Sequence, residues 1–448
     1  MNKKTISSAR WLQALCAAVA ALFIIPLIQP GARAEKLEEI PLNKADAIYL
    51  YNIENDMLLT SKDPDRLLYP ASTVKIMTGL ICCEYFAGRL DEKIRVTEQM
   101  VSFIEGRYMG IRAGNTPTVR DLLYLGFCGG FNDAIVIMEY VISGSEAAFV
   151  AEMNNRAKDL GMTSTIFTNA TGVHNENMHT TAEDLAKLAL VASKNGLYMT
   201  VTSAVSYSTE GFASVFSFDN YNQLISGGRY HNKLCRGLNA GSTPAAGGAA
   251  VTIAEKDGAS VLCIVLGGVT DDFNNNYTYI LSSRLIDWAF DSFGYVDVFS
   301  TSDVICEVPV DLAMDTDSVT AVPERTVTYY LPKSVKVSPT PGDNPDADVT
   351  YTYRLTEQKL EAPVESGRSI GFLSVYYKGK LIDSVVLVSG KSVDKSQLLY
   401  LFDWIKAFSK SDFFIGALIT AGICSIIYIT AAAIVRGSAK KGRKKSRR

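Results

Sequence analysis

The spacing of hydrophobic residues between positions 35 and 295 predicts a domain of mixed helices and strands. Alternating hydrophobic and polar residues are typical of a half-buried strand, whereas hydrophobic residues every three or four positions are typical of a helix. The first elements form a hairpin, with strands at 47–51 and 57–59 around a polar turn. Further along, helical periods occupy 70–86, 121–140, 146–161 and 181–194, and a strand pair occupies 249–255 and 259–267. The Cys128-Gly129-Gly130 run should divide the second helical segment in two.

The pattern changes near residue 296, where strand-like alternation takes over. Strands are predicted at 304–310, 326–331, 349–355, 369–377 and 381–388. Turn residues separate them, and few helical periods occur before residue 395. The sequence therefore predicts a β-rich domain over 296–395, after an α/β domain over 35–295. Residues 396–412 follow as a short amphipathic helical connector.

The C-terminal end is typical of a membrane anchor. Residues 413–435 are apolar and uncharged, about the ~20 residues that a spanning helix needs. The tail 436–448 contains eight basic residues and no acidic one, so the positive-inside rule places it in the cytoplasm. A basic tail is also found in nucleic-acid-binding proteins, but its position beside an apolar span favours the membrane interpretation.

The N-terminal end is typical of a secretory signal peptide over 1–34. Lys3, Lys4 and Arg10 precede an apolar run from 11 to 28, and Ala32-Arg33-Ala34 fits a cleavage site. An uncleaved membrane anchor is the alternative. In either case, the residues that follow are exported. With the signal peptide removed, the predicted location is a cell membrane with a single span, the main body outside and the C-terminus in the cytoplasm.

The charge of the chain changes meaning once these ends are set apart. The 448 residues carry a net charge of −3, but residues 35–412 hold 32 basic and 47 acidic residues, a net charge of −15. This acidic body argues against a nucleic-acid partner. The chain has no Cys-x-x-Cys motif and three histidines, so we expect no zinc site and no cofactor.

A Ser-x-x-Lys pattern supplies the strongest candidate for chemistry. Ser72 and Lys75 lie at the start of the 70–86 helix, where this spacing places both side chains on one face. A lysine desolvated there loses its proton more readily and activates the serine for acyl transfer. The same pattern recurs at Ser392 and Ser438, so the motif alone is weak.

The residues around Ser72 add specificity, because the sequence resembles a known family over about 45–395. Residues 70–80 resemble the nucleophile segment of the serine D-alanyl-D-alanine carboxypeptidases, which are low-molecular-mass penicillin-binding proteins. The segments 122–124, 132–134, 154–172, 180–190 and 220–224 are also similar to that family. The resemblance implies a penicillin-binding or β-lactamase-like α/β domain, with an antiparallel sheet flanked by helices, before the β-rich domain and the transmembrane helix.

The resemblance also implies site residues and a substrate. Ser72 would be the acylated nucleophile and Lys75 its general base, while Asn132, Asn239 and Gly241 would bind the substrate. The substrate would be a peptidoglycan stem peptide ending in D-Ala-D-Ala, so the family's role lies in cell-wall synthesis and cell shape. β-Lactams mimic that substrate.

Two motifs depart from the family pattern. The second motif, Ser-x-Asn, has Gly130 at the serine position, which removes a hydroxyl from the proton relay. The third motif, Lys-Thr-Gly, is Asn239-Ala240-Gly241 here, so the ammonium and hydroxyl that hold a substrate carboxylate are missing. Loss of an acid–base relay costs about 10²–10⁴ in rate.

Three hypotheses remain open on the sequence. The first is an active carboxypeptidase in which Arg236 or Lys233 supplies the missing charge. The second is a catalytically impaired member that binds peptidoglycan or a cell-wall partner without efficient hydrolysis. The third is a structural, wall-facing scaffold, which the intact Ser72 and Lys75 disfavour. Among other residues, Cys128 is interpreted as a buried loop cysteine, and His174 and His179 as exposed loop residues.

Overall fold

A computed structural model of the protein describes residues 36–445, with side chains to residue 436. The predicted signal peptide at 1–34 lies outside the described residues. Within them, the chain divides after Gly294 into two compact units.

The first unit contains both strands and helices. Its strands are β1 (Ala47–Asn52), β2 (Met57–Lys62), β3 (Ser206–Ser208), β4 (Ser217–Asp219), β5 (Cys235–Thr243), β6 (Gly247–Lys256) and β7 (Ala259–Gly268). Its α-helices are α1 (Lys75–Tyr85), α2 (Val119–Leu123), α3 (Asn132–Ser143), α4 (Glu146–Asp159), α5 (Ala182–Ala192), α6 (Gly196–Ser203) and α7 (Tyr277–Ser292). A 3₁₀ turn, Ala71–Val74, leads into α1, and a π-helical turn, Tyr124–Cys128, follows α2.

An antiparallel sheet of order β2-β1-β7-β6-β5 organises this unit. The hairpin β6–β7 closes at Asp257 and Gly258, which both have positive φ, as a tight hairpin turn requires. β7 is buried along most of its length, and α7 packs against it, so the sheet has a covered face. Strand β5 lies at the sheet edge, next to the 3₁₀ turn that carries Ser72.

Helix α1 passes through the hydrophobic core of the first unit. Ile76, Met77 and Leu80 are fully or almost fully buried. The core also encloses free thiols on several elements: Cys82, Cys83, Cys128, Cys235 and Cys263. A cysteine without a partner packs as a small hydrophobic residue.

Local sequence signals explain where several helices begin. Thr181 precedes α5, and its hydroxyl accepts a hydrogen bond from the backbone of Asp184 at 3.1 Å. Thr118 caps α2 in the same way, accepting from the backbone of Asp121 at 3.1 Å. These caps satisfy amide groups that have no partner inside the helix.

The second unit is β-rich. Its strands are β8 (Phe293–Phe299), β9 (Cys306–Asp311), β10 (Ser318–Pro323), β11 (Val327–Pro332), β12 (Val349–Leu355), β13 (Leu360–Glu361), β14 (Ser369–Tyr377) and β15 (Lys380–Ser389). A six-stranded sheet has the order β12-β14-β15-β10-β9-β13, and β8 pairs with β11. In β10, buried residues alternate with half-buried ones, the pattern of a strand with one face on the core.

Two helices close the described chain, α8 (Gln397–Ser409) and α9 (Asp412–Lys445). The part Asp412–Arg436 is long and apolar enough to cross a membrane, which weakly suggests an anchor. Helix α8 exposes large apolar side chains, including Leu398, Phe402 and Trp404. The fold class predicted from the sequence is confirmed: an α/β unit with an antiparallel sheet, a β-rich unit and a C-terminal apolar helix.

Candidate active site

Ser72 lies in a tight turn at the start of α1. Pro70 precedes the turn, and the Pro70 carbonyl accepts a hydrogen bond from the Thr73 hydroxyl at 2.6 Å. Ala71 has a positive φ of 49°, an uncommon conformation for a residue with a side chain. Thus the turn that holds the serine is fixed by backbone geometry and by a buried side-chain hydrogen bond.

Lys75 is the first residue of α1 and faces the serine. Its Nζ lies 3.3 Å from the Ser72 Oγ and donates to the Thr171 carbonyl at 2.5 Å. Only 3% of the lysine is exposed, and this burial lowers its pKa from 10.5 to about 7. A neutral amine within reach of a serine hydroxyl is the arrangement of a general base and a nucleophile.

A strap formed by Thr171 and Gly172 crosses over the nucleophile turn. Asn169 Oδ1 accepts from the backbones of Thr171 and Gly172 at 3.2 and 2.7 Å, which orients the Thr171 carbonyl toward Lys75. Gly172 has a φ of 80°, and a Cβ there would lie 2.1 Å from the Ala71 carbonyl oxygen. Only glycine fits this crossing. No local sequence signal predicts this contact, because 96 residues separate Thr171 from Lys75.

The third motif lies on β5, the edge strand of the sheet that packs against the Ser72 turn. A Cβ at Gly241 would lie 2.5 Å from the Ser72 Cβ, so the strand backbone packs directly against the serine. Asn239 and Ala240 are both buried, and the Asn239 Oδ1 has no hydrogen-bond partner among the described residues. The position where the family has a lysine therefore holds a buried, neutral amide.

The second motif ends at the first residue of α3. Asn132 is 5% exposed, and its Nδ2 donates a hydrogen bond to the Glu105 carbonyl at 2.7 Å. Its Oδ1 has no hydrogen-bond partner among the described residues. Gly130 has a φ of 72°, and a Cβ there would contact the Tyr221 ring at 3.1 Å. The position of the missing serine is thus bordered by an aromatic ring.

A loop residue that the sequence analysis did not single out places a cation beside the site. Arg107 lines a cavity of about 470 Å³ that also borders Gly241. The cavity is lined by Arg107, Asp219, Asn220, Tyr221, Gln223, Gly241, Ser242, Asn276, Thr278 and Tyr279. Arg107 is the basic residue in this set, and Asp219 the acidic one.

Several contacts hold Arg107 in place. Its Nε donates to the Gly129 carbonyl at 2.9 Å, and its guanidinium lies 4.5 Å from the Phe131 ring centroid and 5.2 Å from that of Tyr221. The Arg107 carbonyl accepts from the backbone of Asn132 at 2.7 Å. Cation–π contacts and backbone bonds of this kind restrict an otherwise flexible side chain.

Of the two basic residues proposed from the sequence, Arg236 makes its contacts away from the site, and Lys233 does not line the cavity beside it. The Arg236 Nε lies 3.7 Å from a Glu255 carboxylate oxygen, and its Nη1 donates to the carbonyls of Lys233 and Cys235. Neither Arg236 nor Lys233 lines the cavity beside Gly241. Arg107 is therefore better placed than either residue to supply a positive charge there.

Comparison with known proteins agrees with this geometry. Residues 34–270 match the sequence profile described as D-alanyl-D-alanine carboxypeptidase, and residues 293–395 match that of the penicillin-binding protein 5 C-terminal domain. The chain belongs to the D-alanyl-D-alanine carboxypeptidase family. The family assignment made from the sequence is thereby confirmed.

Similar curated proteins cover most of the chain. D-alanyl-D-alanine carboxypeptidase DacF of Bacillus subtilis is 24% identical over 390 residues, which span 84% of this chain and 93% of that protein. D-alanyl-D-alanine carboxypeptidase DacC of Escherichia coli is 26% identical over 398 residues, spanning 86% and 92%. Family membership supports a serine carboxypeptidase-like function in peptidoglycan metabolism.

Solved structures share the fold. Penicillin-binding protein 5 from Haemophilus influenzae aligns with a TM-score of 0.54 at 23% identity, covering 79% of this chain and 98% of that one. The carboxypeptidase DacD from Francisella tularensis aligns with a TM-score of 0.56 at 21% identity, covering 82% and 96%. At these identities the likeness establishes the architecture alone.

Proposed function

We propose that this protein is a serine-type D-Ala-D-Ala carboxypeptidase that forms an acyl-enzyme on Ser72. The observation that carries the proposal is the pair of Ser72 and Lys75, with 3.3 Å between the hydroxyl oxygen and a buried amine. Burial brings the pKa of Lys75 to about 7, so a large fraction of the amine is neutral near neutral pH. The substrate is a peptidoglycan stem peptide ending in D-Ala-D-Ala, and β-lactams acylate the same serine.

The reaction proceeds in two halves. As the Ser72 Oγ attacks the carbonyl carbon of the penultimate D-Ala, its proton passes to the Lys75 amine. The peptide C–N bond then breaks, and the terminal D-Ala leaves after its nitrogen takes up a proton. In the second half, the oxygen of a water molecule bonds to the acyl carbon and the ester C–O bond to Ser72 breaks. One proton of that water passes by way of Lys75 to the Ser72 Oγ, and the shortened peptide leaves as a carboxylic acid.

Proton delivery to the leaving nitrogen differs from the family pattern. Gly130 offers no hydroxyl, so the proton that Lys75 has accepted is the one available to the leaving amine. The Thr171 carbonyl holds the Lys75 Nζ at 2.5 Å and keeps it next to the serine throughout. We expect this shorter proton relay to support acylation better than deacylation, because deacylation also requires a water molecule to lose a proton.

Arg107 takes the place of the missing lysine in binding the substrate carboxylate. Its guanidinium is planar and always charged, and two of its N–H groups match the two oxygens of a carboxylate. The cavity that it lines reaches Gly241, whose backbone touches Ser72. A terminal carboxylate in this cavity would leave the scissile bond next to the serine.

A second candidate function is an impaired member of the family that binds or slowly acylates without efficient turnover. The observation in its favour is the absence of a side-chain hydroxyl at both Gly130 and Ala240. In that case, the protein would bind peptidoglycan or a cell-wall partner at the same site.

For localisation, we propose that α9 anchors the protein in a bacterial cytoplasmic membrane with its body outside. The apolar stretch Asp412–Arg436 and the eight basic residues of the tail support this orientation. The apolar surface of α8 suits the membrane interface.

Labelling with a fluorescent penicillin tests the proposal. The full-length protein in mild detergent should be labelled, and Ser72→Ala should not. Release of D-alanine from a pentapeptide then separates the candidates, since an active enzyme turns over repeatedly and an impaired one gives at most one equivalent. Absence of both labelling and D-alanine release would refute the proposed activity.

A further inference from the structure

A second cavity, of about 360 Å³, adjoins the reaction centre. It lies between α3, the 3₁₀ turn Gln99–Val101 and the segment 168–175. Asn132 and Thr171 both line it, and the Thr171 carbonyl is the group that binds Lys75. It shares no lining residue with the cavity that contains Arg107.

Three residues that line this cavity have buried oxygen atoms without a hydrogen-bond partner in the described part of the chain. They are the Asn132 Oδ1, the Glu139 Oε1 and the Thr168 Oγ1. Glu139 is 1% exposed, so its carboxyl group is removed from bulk water. Buried polar groups normally have partners, because an unpartnered one costs free energy. Three of them around one cavity indicate a ligand that donates hydrogen bonds.

The charges around the cavity have one sign. Its charged or titratable lining residues are Glu105, Glu139, Tyr140, Glu146 and His174, and no lysine or arginine of the described segment lines it. Burial, with a further contribution from Glu146, raises the pKa of Glu139 to about 8. A cation beside Glu139 would favour the ionised carboxylate and restore a balanced charge.

We propose that this cavity binds a primary ammonium group on the acyl side of the peptide substrate, the side-chain amine of a basic or diamino residue. Glu139 is the counter-ion, and Asn132 and Thr168 supply the other acceptor oxygens. An ammonium has three N–H donors and no acceptor, which matches this set. The inference rests on the proposed function, since the cavity serves the same substrate that Ser72 attacks.

Peptide binding to full-length Ser72→Ala tests the inference without turnover. The probes are Nα-acetyl-L-lysyl-D-Ala-D-Ala and its Nε-acetylated counterpart, compared by isothermal titration calorimetry at pH 7. We expect the free amine to bind at least about tenfold more tightly, as a charged hydrogen-bonded contact implies. At that pH, binding should also release a proton, so the heat should depend on the ionisation enthalpy of the buffer.

Glu139→Gln, which keeps the side-chain shape, should bring the ratio of the two Kd values to near one and abolish proton release. Thr168→Val should lower the ratio in the same direction, which keeps the test valid if the first variant folds poorly. The matched control is Glu176→Gln, which removes a carboxylate from the exposed loop beside the cavity and should leave the ratio unchanged.

Equal Kd values for the two peptides, no binding of either, or a ratio that persists in Glu139→Gln would overturn the inference. Penicillin labelling of the chain with Ser72 intact reads the proposed function separately. A labelled chain that does not discriminate between the peptides retains the activity and loses the ammonium site. An unlabelled chain that does discriminate retains the site and loses the activity.

Discussion

The backbone of Gly241 lies directly against the side chain of Ser72, so that a Cβ at position 241 would fall 2.5 Å from the serine Cβ and 2.7 Å from its Oγ. We therefore expect Gly241→Ala to displace the nucleophile. A displacement of about 1 Å at a reacting group costs about 10²-fold in rate. The rate constant for labelling by a fluorescent penicillin should fall by about that factor, while the circular dichroism spectrum stays unchanged.

Gly196→Ala is the matched control for this change. No other described residue has an atom within 4 Å of a Cβ at Gly196, at the start of α6, so labelling should be unaffected. Normal labelling of Gly241→Ala would mean that the strand can move away from Ser72 at little cost.

The pH dependence of acylation should follow Lys75. Because burial lowers its pKa to about 7, the acylation rate should rise with pH through that value and level off near pH 8. This rise can be measured as the rate constant for penicillin labelling at evenly spaced pH values from about 5.5 to about 9. A rate that is flat over this range would contradict a role for Lys75 as the base.

The same pKa shift predicts a stability effect with a definite sign. Between about pH 7 and pH 10.5, Lys75 is mostly neutral in the folded chain and mostly protonated in the unfolded chain. The unfolded state binds more protons there, so Lys75 makes the free energy of unfolding rise with pH, by at most about 1.4 kcal/mol per unit. Denaturant titrations at pH 7 and pH 9 give the free energy of unfolding of the protein and of Lys75→Met. Between these two pH values, that free energy should rise more for the protein than for Lys75→Met, by the contribution of Lys75.

Arg107→Gln should weaken recognition of the terminal carboxylate. Loss of a hydrogen bond to a charged group corresponds to at least about a tenfold rise in KM. The peptide with a C-terminal amide should be affected little, since it lacks the charge that Arg107 binds. Asn239→Lys in the Arg107→Gln background should recover part of the preference for the carboxylate. If the KM values of Arg107→Gln for both peptides equal those of the unaltered protein, Arg107 has no role in binding.

Restoring the serine of the second motif should not by itself increase D-alanine release. Gly130 has a φ of 72°, where a residue with a side chain costs about 1–2 kcal/mol, and Tyr221 occupies the adjacent space. We expect Gly130→Ser to lower the midpoint of thermal unfolding and to leave D-alanine release unimproved. A gain in turnover from this single change would show that the backbone can rearrange around a serine.

Much of the architecture was accessible from the sequence because it depends on local pattern. The predicted strands at 349–355 and 369–377 coincide with β12 and β14, since alternation and flanking turns define both ends. The break at Cys128-Gly129-Gly130 separates two helical segments, although the first ends in a π-helical turn. Strands β3, β4, β8 and β10 and helices α6 and α7 were not predicted from the sequence. Strands β3 and β4 are three residues long, which is too short to show a period.

The site was accessible only where a motif carried it. Ser72 and Lys75 are neighbours on one turn, so their spacing predicts their contact. Arg107 reaches the site through a loop whose backbone amides at Met109, Gly110 and Ile111 are bound by the Asp133 carboxylate at 2.8–3.2 Å. Contacts of this kind arise from tertiary structure, which a local pattern does not encode.

The buried free thiols of the first unit can report when that unit opens. Burial raises the pKa of Cys83, Cys128 and Cys235 to about 12, so almost none of these groups is a reactive thiolate while the unit stays closed. A thiol reagent would therefore modify them at the rate at which the surrounding structure opens. Cys83 lies on α1, Cys128 next to the second motif and Cys235 on β5, so reaction at each thiol would report the local opening of a different element of the first unit.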